Sequence, residues 1–267
     1  MLKSIMTIHQ LNKIINIRFN LAYDGTRYQG WQKGSEGKTV EEVVEKNLSR
    51  IYNHPITLQA ASRTDSGVHA KGQVVNYLAP KEVDLTKLLF SLNRLLPIDI
   101  FATQLERAPD NFHPSLDAIA KEYRYYICNE QIQSPFHRLY SWHVYEELNF
   151  KQIDIGIKIL CGKHDFSSFC NHKPSHRYEH HIREIYSIDR ILEENGENRF
   201  YFSLKGDSFL YRMVRNIVGT LVDVGLGKIT ITDLCYILKA HDRKLAGISA
   251  PAHGLFLQHI NYKNSNH

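Results

Sequence analysis

Ser62-Arg63-Thr64-Asp65-Ser66-Gly67-Val68-His69-Ala70 brings three chemically capable side chains into one short span. A carboxylate can stabilise positive charge or attack an electrophilic carbon. An arginine can hold that carboxylate or bind an anion, and a histidine can carry a proton or act as a fixed hydrogen-bonding group. The span lies between two segments with strand character, Ile56 to Ala61 and Gly72 to Leu78,. Arg63, Asp65 and His69 are therefore expected on a loop held by a rigid frame, where functional residues concentrate, with Gly67 free to adopt positive φ. Spacing alone leaves a second reading open: a solvated turn in which Asp65 caps nearby backbone N–H groups.

The elements that would position these residues can be read in chain order. Ile15 to Tyr23 alternates like a half-buried strand and ends at Asp24-Gly25,. Thr39 and Glu42 have the spacing of a capping box, opening a helix whose apolar face carries Val40, Val43, Val44, Leu48 and Ile51,. Asp84 caps a second helix with Leu85, Leu88, Leu89, Leu92 and Leu95 inward, stopped by Pro97,. Ile98 to Leu105 is a further strand, so the first half reads β-α-β-β-α-β. The second half repeats that order with a strand from Asp117 to Cys128, a helix from Phe150 to Leu160, and strands from Arg183 to Leu192 and Arg199 to Leu204. Glu193-Glu194-Asn195-Gly196-Glu197 joins the last two. A helix from Leu210 to Val224, a short helix from Thr232 to Ala240 and a strand from Leu255 to Tyr262 complete the chain.

The fold class expected is α+β: two ferredoxin-like, split βαβ halves, residues 15–110 and 111–262, whose antiparallel sheets abut and form a central cleft. Residues of one half can meet Asp65 of the other there.

The 267 residues are enough to bury a substantial core, and 43% hydrophobic with 23% charged residues is ordinary for a globular chain,. A net charge of +5 is compatible with a polyanionic partner,. Interleaved Tyr, Phe, His and Arg suit base stacking and phosphate contact, although tyrosine-rich cores account for the same composition. Cys128, Cys161, Cys170 and Cys235 are far apart in a chain too large to need disulfides, which implies free thiols and a cytoplasmic location,. Polar residues interrupt Leu2, Ile5, Met6, Ile8 and Leu11, so no secretory signal is expected,. No run reaches the ~20 apolar residues of a membrane span.

Arg63-Thr64-Asp65-Ser66-Gly67-Val68-His69-Ala70 closely resembles the catalytic motif of the TruA family of tRNA pseudouridine synthases. The resemblance covers nearly the whole chain. Tyr23-Asp24-Gly25 through Tyr28-Gln29-Gly30-Trp31-Gln32 is similar to the family's opening segment, and Phe112-His113-Pro114 with Ala118 to Ile127 is similar to its tyrosine motif. Asp165 to Phe169, Phe209 to Gly219 and Ala252 to Leu255 are similar to three later blocks. Three departures stand out: Ser62 replaces a usual Gly, Ser66 a usual Ala, and Lys121-Glu122 a commoner basic pair.

The resemblance implies a cofactor-free, metal-free isomerase that converts uridines of the tRNA anticodon stem-loop, positions 38 to 40, to pseudouridine, working as a homodimer on tRNA. It implies that Asp65 is the catalytic carboxylate, that Tyr123 stacks on the target uracil, that Arg215 pairs with Asp65, and that Arg63 lies near the flipped nucleotide. Under this reading His69 supports the loop. A glycosidase needs two carboxyl groups; the motif supplies one, which suits an isomerisation that retains the base. The competing constellation is Cys161, His164, Cys170, His172, His176, His180 and His181. It suggests a non-catalytic, zinc-containing RNA-binding protein, but its spacings do not reproduce an established zinc finger, and a histidine-rich loop touching RNA phosphates is the better account.

Overall fold

The computed structural model describes residues 15–34, 37–172, 178–193 and 198–263. The alternation that predicts the first strand is realised in β1 (Ile15–Tyr23), which buries Ile17, Phe19, Leu21 and Tyr23. In α1 (Val40–Tyr52) the Thr39 hydroxyl accepts from the Glu42 N–H at 3.3 Å, a cap worth about 1 kcal/mol. The helix buries Val40, Val44, Leu48 and Tyr52. β2 (Gln59–Ala60) is only a two-residue strand, and β3 (His69–Ala79) begins at His69, earlier than its sequence pattern indicates. Asp84 caps α2 (Leu85–Leu95), and β4 (Ile100–Arg107) follows.

The second half contains β5 (Ala118–Cys128), β6 (Trp142–His143), α3 (Phe150–Leu160), β7 (Gly162–Asp165), β8 (Ile182–Leu192), β9 (Arg199–Gly206), α4 (Met213–Gly225), α5 (Ile231–Ala240) and β10 (Leu255–Tyr262). The short strands β6 and β7 have no counterpart in the sequence reading. α4 starts three residues after Leu210 because Arg212 is in the left-handed region, φ 59°, and breaks the turn before it. Glu194 to Glu197 of the expected turn, and the amino-terminal stretch with Leu2, Ile5, Met6, Ile8 and Leu11, lie outside the described residues.

One mixed sheet runs β4-β1-β3-β10-β5-β9-β8-β7, with β2 added to β3 and β6 to β5. The two halves meet edge to edge where the last strand of the chain enters between them. β10 pairs antiparallel with β5 and, through Phe256↔His69 and Leu257↔Ala70, parallel with the start of β3. Helix α2 packs on β4, and α3 packs on β8, α4 and α5. Helix α4 is almost wholly buried, and Gly219 lets it approach the segment before β10: a Cβ there would lie 1.8 Å from the Ile248 carbonyl oxygen. That contact fixes the segment leading into β10, and with it the seam.

Candidate active site

Asp65 sits at this seam, on the loop between β2 and β3, and nearly every residue of the loop is tied to something outside it. The Ala61 carbonyl accepts from Lys121 Nζ at 2.7 Å. The fully buried Gln73 side chain takes both backbone groups of Ser62, with Ser62 N–H donating to Gln73 Oε1 and Gln73 Nε2 donating to Ser62 O. Thr64 Oγ1 lies 2.8 Å from the Tyr23 hydroxyl, and its carbonyl accepts from Trp31 N–H at 3.0 Å. That last approach requires Gly30, whose φ is +87° and where a Cβ would lie 2.6 Å from Thr64 O,. Gly67, φ +77°, closes the turn and donates to Tyr28 O. A loop satisfied so completely has little freedom, and that rigidity aims its side chains.

Helix α4 supplies Arg215. Its Nη1 donates to Asp65 Oδ2 at 3.0 Å and its Nε donates to Ala250 O at 2.7 Å. The pair is largely enclosed, with 12% of the arginine and 20% of the aspartate side chain exposed. Among the described residues nothing else hydrogen-bonds to the carboxylate, so Oδ1 is unpaired. Strand β5 supplies Tyr123, whose hydroxyl lies 2.7 Å from Ser62 Oγ and whose ring meets Phe209 edge-on at 5.2 Å. Burial pushes the Tyr123 phenol up to about 12; the Ser62 hydroxyl pulls it down, and the Asp65 carboxylate pushes it up. The phenol therefore keeps its proton at neutral pH.

Asp65, Arg63, Tyr123 and Arg215 all line one cavity of about 730 Å³, within the size range of sites that enclose a small ligand. Arg63 is exposed on its wall, free of hydrogen-bonded partners among the described residues. Lys121, Ser62 and Glu41 also face this cavity, and the sequence reading gave none of them a role. Glu41 is a second carboxyl group; one oxygen accepts from Lys33 N–H, and burial raises its pKa.

His69 lies apart from that cavity and lines a smaller recess with Asp24, Tyr140 and Phe256. Its Nδ1 accepts from Gly25 N–H at 3.0 Å, so Nε2 carries the proton toward the Leu139 and His253 carbonyls. The ring stacks on Phe256. Burial lowers its pKa and outweighs the Asp24 carboxylate 3.1 Å from Nδ1. This is a structural histidine that fastens the loop's end to the seam. Of the Cys/His run, His164 Nε2 bonds the Cys161 carbonyl, and no group of three or more possible ligands gathers among the described residues. His176 lies outside them.

A chain with one fixed carboxylate beside a guanidinium, an aromatic ring and a nucleotide-sized cavity invites comparison with known proteins. Residues 21–116 and 157–263 match the family model described as tRNA pseudouridine synthase. The chain is similar to tRNA pseudouridine synthase A 2 of Protochlamydia amoebophila, 49% identical over 248 residues, covering 92% of this chain and 94% of that protein. It is also similar to tRNA pseudouridine synthase A of Bacillus subtilis, 37% identical over 252 residues, covering 94% of this chain and 100% of that protein.

Proposed function

The chain belongs to the tRNA pseudouridine synthase family, and from that premise we propose that it isomerises uridines at positions 38 to 40 of the tRNA anticodon stem-loop, with Asp65 as the catalytic carboxylate. The N1–C1′ bond breaks and its electron pair stays on the uracil. Positive charge develops at C1′, where Asp65 stabilises it electrostatically or by a covalent bond; alternatively the carboxylate first adds to the base. The uracil turns, C5 bonds to C1′, the C5 proton leaves and N1 gains one. Composition and charge are conserved overall, so the balance needs no oxidant, metal or other cofactor.

Arg215 holds the carboxylate with one oxygen free to act. Tyr123 stacks on the target uracil, worth about 1–3 kcal/mol, which helps offset the few kcal/mol of extracting a nucleotide from its stack. Arg63 meets the phosphodiester at the cavity mouth. Residues 15–110 and 111–262 act as one unit, since Asp65 comes from the first and Tyr123 and Arg215 from the second. Two such chains form a homodimer that grips one tRNA in the cytoplasm.

The observation that carries this reading is the 3.0 Å Arg215–Asp65 contact inside a cavity that Tyr123 also lines. Purified protein incubated with an unmodified tRNA transcript is expected to yield pseudouridine at one or more of positions 38 to 40, mapped by chemical labelling. Conversion confined to other positions would overturn the assignment of site, and no conversion would overturn the activity. Sedimentation is expected to give twice the chain mass.

A further inference from the structure

Lys121 is an unusual residue to find in this cavity. It lies two positions before Tyr123 on β5, so strand alternation puts both side chains on the same face, about 7 Å apart,. It is 9% exposed, yet among the described residues no carboxylate pairs with it, and its one hydrogen bond is to the Ala61 carbonyl. An ammonium has three N–H donors, so two are unspent while the side chain lines the cavity. A neutral donor would serve the Ala61 carbonyl equally well, without the cost of burying a charge. What the lysine adds is the charge and the spare donors.

Electron density moves onto the uracil by every route open to Asp65. Breaking N1–C1′ leaves a pair shared between N1, O2 and O4, and adding a carboxylate to the base leaves an enolate at O4. A fixed cation aimed at a carbonyl oxygen gains strength as that charge appears, which is the condition for accelerating a step. A phosphodiester is fully charged throughout and is better met by the exposed Arg63. Resting on the pseudouridine synthase reading, we propose that Lys121 is a further catalytic residue whose ammonium donates to a uracil carbonyl oxygen and stabilises the negative charge on the base as it detaches from the sugar.

Arg183 at the head of β8 and Asp207 after β9 act electrostatically on Lys121, and among the charged and titratable groups that share its cavity are Glu41, Arg63, Asp65, His113, Tyr123, Arg212 and Arg215. Burial, helped by the Arg183 guanidinium and opposed by the Asp207 carboxylate, lowers the Lys121 pKa to about 8. The protonated form is the active one, so activity is complete below that value and is lost as pH rises through it.

The test compares wild-type protein with Lys121→Met and Lys121→Gln, using pseudouridine formation in a tRNA transcript, tRNA binding at two salt concentrations, and thermal melting. The variants are expected to bind tRNA within about twofold of wild type with the same salt dependence, while single-turnover rates fall about a hundredfold. At tRNA well below KM the profile reports the free enzyme, and the wild-type rate is expected to fall above about pH 8. Both variants should lack that limb. Rates within about threefold of wild type would overturn the proposal. So would lost affinity with a shallower salt dependence, which marks a phosphate contact. Slow variants that keep the alkaline limb would leave Lys121 only as a tether for Ala61 and would equally overturn it. Absence of product with wild-type protein would instead overturn the activity on which the proposal rests, so the two failures are distinct.

Discussion

Asp65 and Arg215 lie 150 positions apart in the chain and 3.0 Å apart in space. Replacing Arg215 with Met removes a charge-assisted hydrogen bond worth roughly 2 kcal/mol when enclosed. Partial exposure lessens the cost, so melting should shift by only a few degrees while pseudouridine formation falls by an order of magnitude or more. Arg215→Lys keeps the charge but cannot reach both Asp65 and Ala250 as the fork does, and should fall between. At Tyr123, the Phe variant keeps the ring and should retain most tRNA affinity, whereas Tyr123→Ala should lose about 1–3 kcal/mol of binding; equal affinity for the two in a filter-binding assay would contradict stacking. The Asp65 loop was visible in the sequence because its residues are contiguous. Arg215 and Tyr123 were singled out by family resemblance alone, since an arginine on a helix and a tyrosine on a strand have no local signature. Lys121 could have been found from its place two residues before Tyr123 on one strand face, but its contact with Ala61 crosses 60 residues of chain, and no pattern in the sequence encodes that distance.

Among the elements, the loop from Gly25 to Trp31 determines where the Asp65 loop sits. Gly30→Ala would force a side chain onto the Thr64 carbonyl at a φ of +87°. The expected result is a drop in melting temperature together with a larger drop in rate, because the displaced backbone carries Asp65. A variant melting lower but turning over normally would show the loop to be less exacting than its hydrogen bonds imply. The long elements were the legible ones: β1, α3 and β10 have the bounds their periodicity predicts. The errors fall where local pattern yields to tertiary context. β2 shrinks to two residues because the Ile56 and Leu58 N–H groups donate to the Ser49 and Glu45 side chains of α1 instead of to a strand partner. β6 and β7 are too short to show a period.

For the whole molecule, the decisive feature is that the carboxyl-terminal strand closes the sheet between the halves, so the cavity exists only once the entire chain has folded. His69 fastens this seam as a neutral ring, and burial holds its pKa below the ordinary value. The unfolded chain binds that proton more readily, so stability is full above the unfolded value of about 6.5 and is lost as pH falls below it. Melting temperature should decline from pH 7 toward pH 5, and His69→Gln should flatten part of that slope; an unchanged slope would remove His69 from the account. A junction between the two repeated β-α-β-β-α-β patterns is expected from the sequence, but the parallel join of β10 to β3 is not, because a repeated element pattern carries no signature of strand order. The account as a whole rests on one carboxylate. Asp65→Asn changes its charge and almost nothing of its shape, so the most direct measurement is pseudouridine formed by wild-type and Asp65→Asn protein on the same transcript, with tRNA affinity measured alongside. The account predicts tRNA affinity close to wild type and no detectable pseudouridine; product accumulating at a rate near that of the wild type would contradict it.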